Sequence, residues 1–169
     1  MLWDLVNFDK LRRGVIYAAY MLLVLMVQNA ILSRVVLFGA KAMILPAAVV
    51  AVGMFEGGVW GALFGLAAGL FADKALGYTV LFTALLPVFG FFSGLLSRYF
   101  VNKRFFAYII VSLAAFILTA LCQMFPLWAF MGQDVRALFY TAAMQVLLSL
   151  PLAVPLYFPC KALGKRRLG

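Results

Sequence analysis

Between residues 57 and 77 the chain reads GGVWGALFGLAAGLFADKALG. Glycine stands at Gly57, Gly61, Gly65 and Gly69; the next step of four lands on Asp73, and the one after on Gly77. A spacing of four puts these residues on one slowly drifting stripe of an α-helix. In lipid, such a stripe lets another helix approach backbone to backbone. The stripe runs into a carboxylate, which is costly near hydrocarbon. A second pair at the same spacing, Gly90 and Gly94, follows one helix later. Two successive stripes predict that these helices pack closely on each other or on a common neighbour, or that one of them meets a second protein.

The surroundings of the stripe fix the class. Of 169 residues, 67% are hydrophobic and only 11% are charged, and the mean hydropathy is +1.11. That much apolar surface predicts an all-α polytopic membrane protein. With ~20 residues per span, the length suits one bundle of about six transmembrane helices with short loops. Residues 1–169 therefore read as a single domain. The alternation of an outer-membrane barrel is absent, so helices are the expected way to satisfy the backbone.

The spans are expected near residues 14–32, 42–55, 58–73, 78–97, 105–125 and 135–158. Residues 1–13 read as an interfacial segment, with apolar Leu2, Leu5 and Val6 beside Lys10, Arg12 and Arg13. Residues 160–169 read as a basic tail. The second and third spans are short, and Pro46 reads as a helix-start device. Gln28 and Asn29 sit near the far end of the first span, as interhelical hydrogen-bonding groups or as ligand contacts. Pro126 and the three prolines Pro151, Pro155 and Pro159 are expected to end or kink their helices.

The net charge is +9. In this setting it reads as cytoplasmic retention and headgroup contact, not nucleic-acid binding. With six spans, Arg34, Lys41, Lys74 and Arg136 fall on one side of the bundle, and the other ten of the fourteen basic residues fall on the opposite side. The asymmetry places both termini in the cytoplasm, and it places Asp73 and Lys74 at the outer face.

Little in the chain suggests chemistry. Histidine is absent, and Cys122 and Cys160 have neither metal nor redox spacing. No nucleophile stands beside a base, and no carboxylates pair at catalytic spacing. The expectation is a non-enzyme with no metal and no cofactor. Asp73 is open to two readings: a contact for a ligand or partner, or a structural group at a helix end. Together with Gln28 and Asn29 it forms the candidate polar lining of a cavity near the outer face.

The segment GALFGLAAGLFADKALGYTVLFTALLPVFGFFSGLL resembles the MreD family, the rod-shape-determining inner-membrane proteins of bacteria. The family pattern is a glycine-rich third helix ending in G-L-x-x-D, then L-G, then a Leu- and Phe-rich fourth helix containing glycine. Here these are Gly69, Leu70 and Asp73, then Leu76 and Gly77, then Leu81 through Gly94. Gln28, Pro46, the size and the basic tail agree in layout. A cation, Lys74, directly follows Asp73, which departs from the pattern.

The resemblance implies a scaffold of the cell-elongation complex in the bacterial inner membrane. It implies direct binding to MreC, a single-span protein, and a wider assembly with MreB, RodA and a class B penicillin-binding protein that directs lateral peptidoglycan synthesis and cell shape. It also implies a fold similar to the substrate-binding S components of energy-coupling-factor transporters. A vitamin-binding S component is accordingly the alternative function. Under the scaffold reading, the partner-binding or packing residues are Gly57, Gly61, Gly65, Gly69, Asp73, Gly77, Gly90 and Gly94, with the third and fourth spans as the docking face.

Overall fold

The computed structural model describes residues 8–32, 34, 36–37, 40–76, 80–99, 104–132 and 134–165. Among them the chain is a helical bundle. Helix α1 (Phe8–Val27) runs on into a π-helical turn, Gln28–Leu32. A two-stranded hairpin follows, β1 (Val36–Leu37) and β2 (Ala40–Lys41), antiparallel, with Val36 opposite Lys41. Then come α2 (Leu45–Glu56), α3 (Gly58–Leu76), α4 (Leu81–Tyr99), α5 (Arg104–Met131) and α6 (Val135–Lys165).

Helix α2 is the core. Its sequence, LPAAVVAVGMFE, is apolar on every side, and such a helix belongs inside. Every residue from Leu45 to Met54 is buried, and α1, α3, α4, α5 and α6 all touch it. Twelve residues make only ~18 Å of helix, against a ~30 Å hydrocarbon core. Protein surrounds it, with five other helices packed around it.

The expected second span starts at Ala42, but the helix starts at Leu45, so Pro46 stands in the first turn where its missing N–H costs nothing. Residues 42–44 are not helical, and a buried backbone needs partners. Side chains from two other helices supply them. The Gln28 carbonyl accepts from the Ile44 N–H at 2.8 Å, and its amide donates to the Ala42 carbonyl at 3.3 Å. The Met43 N–H donates to Ser149 Oγ at 2.8 Å, and that hydroxyl donates to the Gln145 carbonyl at 2.6 Å.

Glycine then sets how the helices cross. Gly57 turns the chain from α2 into α3 with φ at +101°, a conformation that favours glycine. It is therefore a turn residue outside the helical stripe, which corrects its expected place on the helix, while its backbone still packs against Gly94. The working stripe is Gly58, Gly61, Gly65 and Gly69, and it lies on α4. A Cβ on Gly61 would stand 2.5 Å from the Gly90 carbonyl oxygen and 2.6 Å from Gly53 Cα. A Cβ on Gly65 would meet the Leu86 carbonyl oxygen at 2.5 Å, and one on Gly69 the Phe82 carbonyl oxygen at 2.6 Å. Gly94 closes against Gly58. These contacts run antiparallel along the whole of both helices. At Gly53, Gly61 and Gly90 three helices touch backbone to backbone.

Two helices are longer than expected. Helix α5 continues through Pro126 to Met131, and α6 continues through Pro151, Pro155 and Pro159 to Lys165. Proline inside a helix is tolerated where neighbours satisfy the disturbed backbone. In the same stretch of α6 the Tyr108 hydroxyl donates to the Ala153 carbonyl at 2.8 Å, and the Tyr20 hydroxyl to the Leu156 carbonyl at 3.1 Å, neither being a carbonyl that a proline four residues on leaves without its N–H. Segments Phe105–Met131 and Val135–Ala162 are long and apolar enough to cross a membrane; the apolar stretches Gly14–Ala30, Leu45–Glu56 and Leu81–Ser97 are shorter. The expected interfacial segment and basic tail fall partly outside the described residues, at 1–7 and 166–169.

Gly61→Ala is expected to destabilise the bundle by about 1–3 kcal/mol, the usual cost of overpacking. Gly14→Ala, whose Cβ would meet nothing within 4 Å, should leave stability unchanged or slightly raised. Thermal unfolding in detergent compares the two. Equal midpoints for both variants would remove the claim that the Gly61 contact is tight.

Candidate functional site

Asp73 lies on the last turn of α3 and is 6% exposed. Its carboxylate faces the start of α4, nine and ten residues on. One oxygen accepts from the Phe82 N–H at 2.9 Å. The other accepts from the Thr83 N–H at 2.8 Å and from the Thr83 hydroxyl at 2.6 Å. The first N–H groups of a helix have no partner within it, and the positive end of its dipole attracts a carboxylate. Asp73 answers both needs of α4. Its own helix end disfavours the charge, but the neighbouring helix start compensates. Of the two readings open for Asp73, the geometry carries the structural one.

The three residues expected to line an outer cavity do not meet. Asp73 points at α4. Gln28 points at residues 42 and 44. Asn29 alone lines a groove. The reason is the same for the first two: each satisfies buried backbone that has no other partner. The glycines Gly61, Gly65, Gly69, Gly90 and Gly94 are occupied by backbone within the bundle, across α3 and α4 and, at Gly61 and Gly90, also by Gly53 of α2. Gly77 lies outside the described residues.

Several residues that matter here were not singled out by spacing. Gly53 completes the three-helix contact; a lone glycine in an apolar helix was the available signal. Thr83 doubles the grip on Asp73. Gln145 donates to the Gln123 carbonyl at 3.3 Å, and both amides lie 3.7 Å from Met43 Sδ. This cluster ties α5 and α6 to the chain leading into α2. Nothing in the sequence pairs these residues, since they come from distant helices.

Two grooves open on the outside of the bundle. One, of about 780 Å³, runs between α1 and α3 from Ala18 and Phe64 to Asn29 and Lys74. The other, of about 660 Å³, lies between α5 and α6 and is lined by apolar side chains such as Ile117, Phe139, Leu147 and Pro151. Only 39% of the most apolar stretch of α5 and 22% of that of α6 is buried, so these helices present broad apolar faces. Among the described residues no cluster of acidic, histidine or cysteine side chains suits a metal ion, and Cys122 and Cys160 are free.

Comparison with protein-family models, curated proteins and solved structures gives no match for this chain. Its geometry must therefore be read on its own terms: buried polar groups that hold the bundle together, and apolar faces that look outward.

Replacing Asp73 with alanine strips two buried N–H groups and a hydroxyl of their acceptor. The expected loss is about 1–3 kcal/mol, read as a lower thermal midpoint in detergent. Asp73→Asn, which keeps one acceptor, should lose less. If the alanine variant melts with the parent, the carboxylate does not cap α4.

Proposed function

We propose that this chain is a non-enzymatic membrane scaffold of the MreD kind. It sits in the bacterial cytoplasmic membrane as six spans, with both termini inside and a fold similar to the S components. It binds MreC and helps direct lateral peptidoglycan synthesis with MreB, RodA and a class B penicillin-binding protein. One observation carries the reading beyond the resemblance. The polar side chains that hold the bundle, Asp73, Gln28, Ser149, Tyr20 and Tyr108, bond to backbone. A body built this way is rigid and offers apolar faces, which suits docking. A vitamin-binding component needs polar groups converging in a pocket, and the lining of the two grooves is apolar but for Asn29 and Lys74.

The docking face moves from the expected third and fourth spans to α5 and α6. The glycine stripes of α3 and α4 are consumed within the bundle, whereas α5 and α6 are of full spanning length and mostly uncovered. In lipid, a partner helix gains from close packing and hydrogen bonds more than from apolar contact. The alanines Ala120, Ala142 and Ala143 in the α5–α6 groove allow a close approach.

Photoreactive residues placed one at a time at Ile117, Leu147 and Leu66 test this in native membranes. Ile117 and Leu147 line the α5–α6 groove, while Leu66 is exposed on α3 outside both grooves. Expected is crosslinking from Ile117 and Leu147, but not from Leu66, to a single-span protein with a coiled coil and a β-rich outer domain. Co-purification of paired ATPases and their membrane coupling subunit instead would overturn the scaffold.

A further inference from the structure

The groove between α1 and α3 has a polarity along its length. At one end stands Phe64, flanked by the rings of Tyr17 and Trp60 at centroid distances of 6.1 and 6.3 Å. The walls are Leu22, Met26 and Phe71, with alanines between them. At the other end stand Asn29 and the exposed Lys74. Asp73 cannot serve Lys74 as a counter-ion at no cost, because its two oxygens are engaged by the first turn of α4. The groove is thus apolar with one cation at its mouth.

The charge at its mouth decides between occupants. From Ala18 to Ala30, at 1.5 Å per residue, the groove is ~18 Å deep. That depth fits the acyl chains of one leaflet, about half of a ~30 Å hydrocarbon core; the α5–α6 groove is no deeper, but no charged side chain lines it, whereas Lys74 lines this one. An apolar slot one leaflet deep, closed by an aromatic side chain and headed by a cation, complements an anionic lipid.

We propose that the α1–α3 groove is a binding site for one anionic diacyl phospholipid of the outer leaflet. Its acyl chain lies along Ala18, Leu22, Met26, Ala67 and Phe71, and its phosphate meets the Lys74 ammonium beside Asn29. A lysine at the end of a helix reaches the headgroup region with its charge while its stem stays in hydrocarbon. Basic groups in clefts between membrane helices select acidic headgroups in this way. The site rests on the membrane placement proposed above, and not on the scaffold role.

The test is native mass spectrometry of the full chain after equilibration in mixed micelles holding equal phosphatidylglycerol and phosphatidylcholine. The parent is expected to retain one phosphatidylglycerol with a preference of about fivefold, which corresponds to ~1 kcal/mol for a single cation near a headgroup. Lys74→Gln should bring the preference close to one. Ala67→Trp, at an exposed position in the groove, should abolish retention without lowering the thermal midpoint. Lys161→Gln, outside the groove, should change nothing. Retention that follows the bulk composition, or an unaltered preference in Lys74→Gln, overturns the site. So does capture of a protein helix by a photoreactive group at position 67. Flotation with phosphatidylglycerol vesicles separates the two readings: a chain that fails to float overturns the membrane placement with the site, while one that floats without preference overturns the site alone.

Discussion

Backbone contact between α2, α3 and α4 is the constraint from which the rest of the bundle follows. At Gly53, Gly61 and Gly90 no side chain separates the three helices. Close packing of this kind gives dispersion contact over a long line. It fixes the antiparallel register of α3 on α4 down to Gly69 and Phe82. That register brings Asp73 to the first turn of α4. The cap is thus a consequence of the glycine packing as well as a support for it.

The second organising demand is to satisfy buried backbone. Helix α2 is enclosed on every side, and the chain reaches it through three non-helical residues. Gln28 and Ser149, from opposite ends of the sequence, provide the missing partners. The π-helical turn begins at Gln28 itself. Departures from regular helix geometry often mark positions where a side chain must be aimed at one target. The same demand shapes α6, where the hydroxyls of Tyr20 and Tyr108 reach carbonyls in the proline-rich segment. The polar residues of this chain are few, and the bundle uses them on itself.

What remains outward is apolar, and it differs from face to face. The α5–α6 face is long, broad and uncharged. The α1–α3 groove carries a lysine at its mouth. The two surfaces therefore differ in the charge of their lining.

Much of this was legible in the sequence. Composition alone forces a helical bundle, because a chain this apolar has few other ways to satisfy its backbone. The period-four glycines announced a tight helix pair, and Asp73 announced itself by its cost near hydrocarbon. Helix ends were less legible: prolines at 126, 151, 155 and 159 suggest termination, yet α5 and α6 continue through them. The role of Gly57 could not be read from spacing, since a turn breaks the period between α2 and α3. The sequence by itself therefore determined the class of fold, the close-packing helices and the residue types under strain. Only the tertiary structure decided their partners: α4 for the glycines and for Asp73, and residues 42–44 for Gln28 and Ser149. Those pairings depend on which distant segments share a buried volume, and neither periodicity nor propensity within one segment carries that information.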